Sequence, residues 1–163
     1  LVGSEMCIRD RYMFGDNILV APILNDEGIA EYYVPEGKWT DIITGKVLEG
    51  GKWYKHKCSY FEIPALAKPN SIIAYGNFER QIEYDYLEGT TFTIYELEDG
   101  KSAVCPIYDT EANKVFELTA TRHGNKIECE YTDTKASFKI TVANTDKTVE
   151  IAPNFSGKVI IEL

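Results

Sequence analysis

The sequence predicts an all-β protein built from two small antiparallel β-sandwich-like domains. Three observations lead to this class. Apolar and polar residues alternate with a period of two over much of the chain, which is the period of a half-buried strand. Gly, Pro and Asn turn signals recur about every 6–10 residues. No stretch of about ten residues shows the 3.6-residue period of an amphipathic helix.

The first domain is predicted to span residues 12–78. Its apolar run at 18–21 ends at Pro22 and has the composition of a strand that is buried on both faces. An aromatic strand at 31–34 then leads into the turn Pro35-Glu36-Gly37. Further short strands are predicted at 39–43, 47–48, 53–54, 61–64 and 71–76. Together they describe a meander of short antiparallel strands.

The second domain is predicted to span residues 79–163, where the alternation is clearest. Strands are predicted at 92–97, 103–104, 116–121, 127–131, 138–143, 149–151 and 159–163. A one-residue slip would turn every apolar side chain of such a strand to water, so the register should be tightly specified. The inward-facing residues are predicted to be Phe116, Leu118, Ile127, Cys129, Tyr131, Phe138, Ile140 and Val142.

Residues 1–11, LVGSEMCIRDR, differ from the rest of the chain. They show neither strand alternation nor a helical stripe, and they lack the layout of a secretory signal. We therefore expect them to be a non-native leader. The remaining chain then opens inside a strand at Tyr12, which suggests a fragment. In such a fragment the apolar run at 18–23 should lack its covers and expose an apolar patch.

Charge and cysteine usage exclude several classes of function. Lys plus Arg is 17 and Asp plus Glu is 26, so the net charge is 17 − 26 = −9. An acidic chain repels nucleic acid and anionic membrane surfaces, and no apolar stretch of about 18 residues could span a bilayer. The 4 cysteines lack CxxC spacing and neither histidine completes a metal-ligand set. We expect free thiols, a reducing compartment and a cytoplasmic location.

The sequence offers no recognisable catalytic constellation. It has no phosphate-binding Gly-rich loop, no GxSxG nucleophile motif and no arguable Ser, His and Asp set. Asp16, in the turn Phe14-Gly15-Asp16-Asn17, should hydrogen-bond its own loop. His56 lies in a basic run and His123 precedes a turn glycine, so neither is expected to be catalytic. We predict no catalytic, cofactor-binding or metal-binding residue in this chain.

Three stretches carry a specific resemblance to a known family. They are YMFGDNILVAPI at 12–23, YYVPEGKWT at 32–40 with TG at 44–45 and EGGKW at 49–53, and IPALAKPNSII at 63–73. In order and spacing they resemble the barrel-exit strand and the proximal C-terminal β-domain of glycoside hydrolase family 31. The subgroup that they most resemble is the bacterial α-xylosidases. Residues 84–105 are similar to the distal β-domain of that subgroup, and the rest is similar only loosely.

The resemblance implies a part of a retaining α-glycoside hydrolase whose (β/α)8 catalytic barrel is missing. In the family two aspartates on barrel strands form and hydrolyse a covalent glycosyl intermediate. Both belong to segments upstream of the matched residues, so no residue of this chain corresponds to either. The expected function is structural support of the barrel, with carbohydrate met only through that barrel. The chain alone should be inactive. The sequence leaves open whether the chain forms a homo-oligomer.

Two other functions stay open from the sequence. The first is a stand-alone carbohydrate-binding β-sandwich that uses Trp39, Trp53 and tyrosines as stacking platforms. The second is an extracellular sandwich repeat without a ligand. Because both tryptophans flank turns of a meander, we expect them to pack as core or interface. Their exposure in the structure would discriminate support from sugar binding.

Overall fold

A computed structural model of the chain describes residues 10–77, 86–132, 134–153 and 157–163. Within these residues there are fifteen β-strands and no helix, so no helix could cross a membrane, and the predicted all-β class is confirmed. The strands are β1 (Tyr12–Phe14), β2 (Ile18–Val20), β3 (Ile29–Val34), β4 (Lys38–Asp41), β5 (Val47–Glu49), β6 (Lys52–Lys57), β7 (Ala65–Ala67), β8 (Ser71–Tyr75), β9 (Thr90–Tyr95), β10 (Ser102–Tyr108), β11 (Lys114–His123), β12 (Lys126–Tyr131), β13 (Phe138–Val142), β14 (Thr148–Ile151) and β15 (Gly157–Glu162). Two compact units meet at Pro69/Asn70.

The first unit combines a five-stranded sheet with a two-stranded ribbon. The sheet has the order β1-β2-β7-β4-β5, and the ribbon pairs β3 with β6 in antiparallel register. Alternation along β3 places one of its faces inward and the other toward solvent. The core of the unit consists of Leu19, Ala21, Ala30, Tyr32, Val34, Trp39, Leu48, Cys58 and Leu66.

The apolar run at 18–23 is covered within this unit, so the expected exposed patch is wrong. Strand β2 lies inside the sheet between β1 and β7. Leu19 is 2% exposed and Ala21 is fully buried, and both share a core with Tyr32 of the ribbon. The ribbon therefore packs its apolar side chains in one core with those of the 18–23 run. From the sequence we had expected a missing domain to cover this run.

The predicted strand at 61–64 is also wrong. These residues lie in the loop between β6 and β7, and the strand begins only after Pro64. The Pro64 carbonyl accepts a hydrogen bond from the Ala21 N–H at 3.0 Å, so the chain joins β2 from this point onward. Proline has no N–H to continue a ladder, which makes it a natural start for β7.

The second unit is a sandwich of two four-stranded sheets. One sheet has the order β10-β11-β12-β15 and the other β14-β13-β9-β8. The predicted inward-facing residues are confirmed: seven of the eight are buried in the core of this unit, and Val142 is partly buried against it. One pairing corrects the all-antiparallel prediction, because β13 runs parallel to β9 with Ile140 opposite Phe92. Alternation reports which face is buried but says nothing of strand direction.

Strand β8 belongs to the sandwich of the second unit. It pairs antiparallel with β9, and its Ile72 is only 1% exposed within the core.

The predicted domain boundary at 78/79 lies outside the described residues and stays a prediction. Residues 1–9 of the predicted leader also lie outside them. The last two residues of the predicted leader, Asp10 and Arg11, are described and contact β3. The Asp10 carboxylate accepts a hydrogen bond from the Tyr33 N–H at 3.2 Å, and the Arg11 guanidinium lies over the Tyr33 ring.

Candidate functional site

A cleft of about 230 Å³ opens in the first unit. Its volume lies below the roughly 300–1,000 Å³ of ordinary ligand pockets. The ribbon contributes one wall and the β4–β5 turn and the 62–64 loop contribute the others. The lining residues are Tyr32, Asp41, Ile43, Thr44, Lys46, Leu48, Tyr54, Lys55, His56, Cys58, Glu62, Ile63 and Pro64.

The aromatic side of the cleft is formed by two stacked tyrosines. The rings of Tyr32 and Tyr54, which are cross-strand neighbours in the ribbon, lie 6.2 Å apart. Burial, together with the smaller effects of the neighbouring Asp41, Cys58 and Tyr54, raises the pKa of Tyr32 to about 12. The Tyr32 phenol is therefore protonated at neutral pH, so it can donate a hydrogen bond but cannot act as a base.

The thiol of Cys58 is not prepared for nucleophilic chemistry. Cys58 follows β6, and its N–H donates to the Gly28 carbonyl at 2.9 Å, which fixes the start of the loop. Burial raises the pKa of the Cys58 thiol, and the charge of Glu62 raises it further. A reactive cysteine needs a lowered pKa, since the thiolate is the nucleophile. Cys58 is thus a core residue of this unit.

The two carboxylates of the cleft hold turns. Asp41 Oδ1 accepts the N–H groups of Ile43 and Thr44, each at 2.9 Å. Glu62 Oε2 accepts the Ser59 N–H at 2.7 Å, and hydrogen bonding from Ser59 lowers the pKa of this carboxyl. A glycosidase general acid needs the opposite shift, toward neutral pH. The geometry of the cleft therefore supports loop formation and offers no acid–base pair.

The remaining sequence candidates do not assemble into one site. His56 is exposed on β6 and lines the cleft, whereas Asp16 is exposed in the turn between β1 and β2. His123 is exposed at the end of β11 in the second unit. Among the described residues there is no group of three or more His, Cys, Asp or Glu side chains that could hold a metal ion.

A second cleft, of about 350 Å³, lies in the second unit near the start of β13. Lys139 and Glu150 are its charged lining residues, and they form a cross-strand ion pair with Nζ–Oε1 of 2.7 Å. This pairing satisfies both charges at the surface. Among the described residues that line this cleft, neither charged side chain is left unpaired.

The two tryptophans have opposite environments. Trp39 on β4 is 4% exposed and belongs to the core, as the sequence predicted. Trp53 on β6 is 61% exposed, so the preferred core position is wrong, and an interface position stays a prediction. It packs edge-on against Tyr33, with ring centroids 5.9 Å apart, on the outer face of the ribbon. Pairing of β3 with β6 placed Trp53 on that face, and the residue pattern around it did not indicate which face is buried.

Two further aromatic residues escaped the sequence analysis. Tyr60 is 97% exposed and Phe61 is 93% exposed, and both lie in the loop between β6 and β7. Their rings contact each other edge-on at 5.7 Å. The strand predicted at 61–64 included Phe61 and directly followed Tyr60, so the sequence analysis did not single out either as an exposed loop residue. Pro64 was a signal that the loop extends to that residue.

Comparison with protein families matches both parts of the chain. Residues 4–73 match the glycosyl hydrolase family 31 C-terminal domain. Residues 85–163 match the C-terminal domain of the α-xylosidase YicI. The two matches follow one another in the order that the sequence blocks indicated.

Individual proteins of the same family are also similar to this chain. The α-xylosidase XylQ of Lactiplantibacillus pentosus is 35% identical over 72% of this chain, and an α-xylosidase of Emericella nidulans is 43% identical over 72% of it. A family 31 dextranase of Flavobacterium johnsoniae shares the fold, with a TM-score of 0.78 and 16% identity over 94% of this chain and 27% of the dextranase. The chain spans 16% of the length of each of the two α-xylosidases.

Proposed function

The chain belongs to glycoside hydrolase family 31, and we propose that it forms the C-terminal accessory β-domains of a retaining α-glycoside hydrolase of α-xylosidase or α-glucosidase type. One observation carries the proposal. Both successive parts of the chain match C-terminal domains of this kind, and relatives named α-xylosidase match across most of it. Its partner is then a catalytic barrel of the same polypeptide.

The proposed role is structural support of that barrel. The cleft chemistry agrees with it: the Cys58 and Tyr32 pKa values are raised, that of Glu62 is lowered, and both cleft carboxylates hold turns. None of these groups is prepared to attack or protonate a glycosidic bond. Catalysis would reside on the barrel, and these domains would contribute stability and folding.

Hydrolysis assays test this proposal directly. The purified 163-residue chain should release no nitrophenol from an aryl α-xyloside or aryl α-glucoside, because no carboxylate pair in its sequence matches the catalytic motifs of the family. The L. pentosus α-xylosidase serves as the positive control for the substrates. Turnover that stays with the chain through repurification would contradict the proposal.

A second candidate function, carbohydrate binding by these domains, is favoured by the exposure of Trp53. An exposed indole beside Tyr33 could stack on the apolar face of a sugar ring. Binding would appear as a saturable change in tryptophan fluorescence on titration with α-linked glucose or xylose oligosaccharides. Trp53→Ala should abolish the change, while an unchanged wild-type signal would leave support as the sole function.

We further propose a cytoplasmic location. Within the described part of the chain Cys58, Cys105 and Cys129 are free and buried. Burial raises the pKa of Cys105 to about 11 and that of Cys129 to about 12, so both are protonated at neutral pH. Free thiols are typical of reducing compartments. Fractionation of the source cells tests the proposal.

A further inference from the structure

The loop between β6 and β7 presents an unusually exposed apolar surface. Tyr60 and Phe61 are more than nine-tenths exposed, although large aromatic side chains are normally the first to be buried. Ile63 of the same loop and Ile43 of the β4–β5 turn are 40% and 56% exposed, and both line the cleft of the first unit. We call these four residues the aromatic loop surface. Clusters of exposed apolar side chains mark sites of association.

The loop that carries this surface is held by hydrogen bonds. At its start the Cys58 N–H donates to the Gly28 carbonyl at 2.9 Å. Across the turn the Ser59 N–H donates to the Glu62 carboxylate at 2.7 Å, and the Glu62 N–H donates back to the Ser59 carbonyl at 3.2 Å. A side chain presented on an ordered backbone loses less conformational entropy on binding. The loop is therefore organised to present its aromatic residues.

Three occupants could cover such a surface, and two are disfavoured. A net charge of −9 opposes close approach of a second copy of the chain. A sugar is usually held in a cleft, whereas Tyr60 and Phe61 line neither of the two clefts described above. The third is the remainder of a family 31 polypeptide, since the α-xylosidase relatives are about six times longer than the segment matched here.

We infer that the aromatic loop surface docks the catalytic domain of the same polypeptide, with Tyr60 and Phe61 as its anchors. The inference rests on the proposed function and names the residues through which support would act. Aromatic side chains that insert into a partner typically account for most of the energy of an interface. Because Tyr60 and Phe61 contribute little to the core of their own unit, their effect should be confined to docking.

A hybrid enzyme tests the inference. In it this chain replaces the matching C-terminal segment of the L. pentosus α-xylosidase, and the half-life of α-xylosidase activity is measured at a fixed elevated temperature. Tyr60→Ser combined with Phe61→Ser should shorten that half-life about tenfold or more, because the anchors of the domain contact are lost. In the isolated chain the same pair should leave the melting midpoint unchanged.

The control is Val104→Ser combined with Tyr108→Ser, two residues of β10 that are 47% and 51% exposed. This pair should leave the half-life of the hybrid unchanged. Equal half-lives for the Tyr60/Phe61 variant and the unsubstituted hybrid would overturn the docking surface alone. A fall in the melting midpoint of the isolated variant would also overturn it. An unsubstituted hybrid without activity would instead overturn the proposed function.

Discussion

At the residue scale, neighbouring positions of one strand can differ completely in environment. Ile140 of β13 is fully buried in the core of the second unit. Lys139, the residue before it, lies on the opposite face and pairs with Glu150; the Lys139 side chain is about half exposed and that of Glu150 is 73% exposed. This alternation is what the sequence predicted for the strand, and it allows a matched pair of substitutions to test the core.

Ile140→Asp should place a charge in the core without a partner. We expect a loss of several kcal/mol, which is comparable with the whole stability of a small domain. Lys139→Gln removes an exposed ion pair and should cost less than about 1 kcal/mol. Urea melts of the two variants measure the difference. Equal midpoints would mean that the inward face of β13 is assigned wrongly.

At the scale of elements, two turns of the first unit pack back to back. The Gly50 N–H donates to the Gly37 carbonyl, and the Gly51 N–H donates to the Val34 carbonyl, each at 2.8 Å. A Cβ atom at position 50 would lie 1.7 Å from the Pro35 carbonyl oxygen. Since that contact is with backbone, no side-chain rotation can relieve it. The close approach of the β3–β4 and β5–β6 turns therefore requires glycine at position 50.

Gly50→Ala should separate these turns and cost several kcal/mol. Gly100→Ala is the matched control: Gly100 has a φ of +73° but open space around its Cα. That control carries only the backbone penalty, about 1 kcal/mol. Thermal melts compare the two variants. A Gly50→Ala protein that melts at or above the temperature of the Gly100→Ala protein would show that the two turns do not need this contact.

At the scale of the whole molecule, each unit has its own core. The core of the second unit draws on both sheets of the sandwich and includes Ile72 of β8. The two compact units divide at Pro69/Asn70, which places β8 in the second unit. The boundary predicted from the sequence at 78/79 places β8 in the first domain instead. A segment that starts at residue 79 would lack β8 and leave β9 at the edge of its sheet.

We predict that residues 70–163 unfold cooperatively and at a higher urea concentration than residues 79–163. Loss of β8 removes the β8–β9 hydrogen bonds and the buried Ile72 side chain, whose removal from a core typically costs a few kcal/mol. Circular dichroism during urea titration of both segments measures it. Coincident transitions would support the boundary at 78/79.

The sequence by itself determined the all-β class, the inward faces of β11, β12 and β13 and the family. Alternation is a local record of burial, so the phases of β11, β12 and β13 could be read from the residues alone. The three stretches that resemble glycoside hydrolase family 31 are also short continuous segments, so the family could be recognised without knowledge of the tertiary structure. The expected absence of a catalytic set comes from the same inspection of motifs and stays a prediction.

Only the tertiary structure decided which elements cover one another. It placed the ribbon over β2, paired β13 with β9 in parallel, joined β8 to the second unit and left Trp53 and Phe61 in solvent. Strands pair through backbone hydrogen bonds that every residue except proline can donate. The residue types of a strand therefore do not predict which strand will pair with it. A pattern thus shows that a face is buried, whereas the covering element follows from packing across the whole chain.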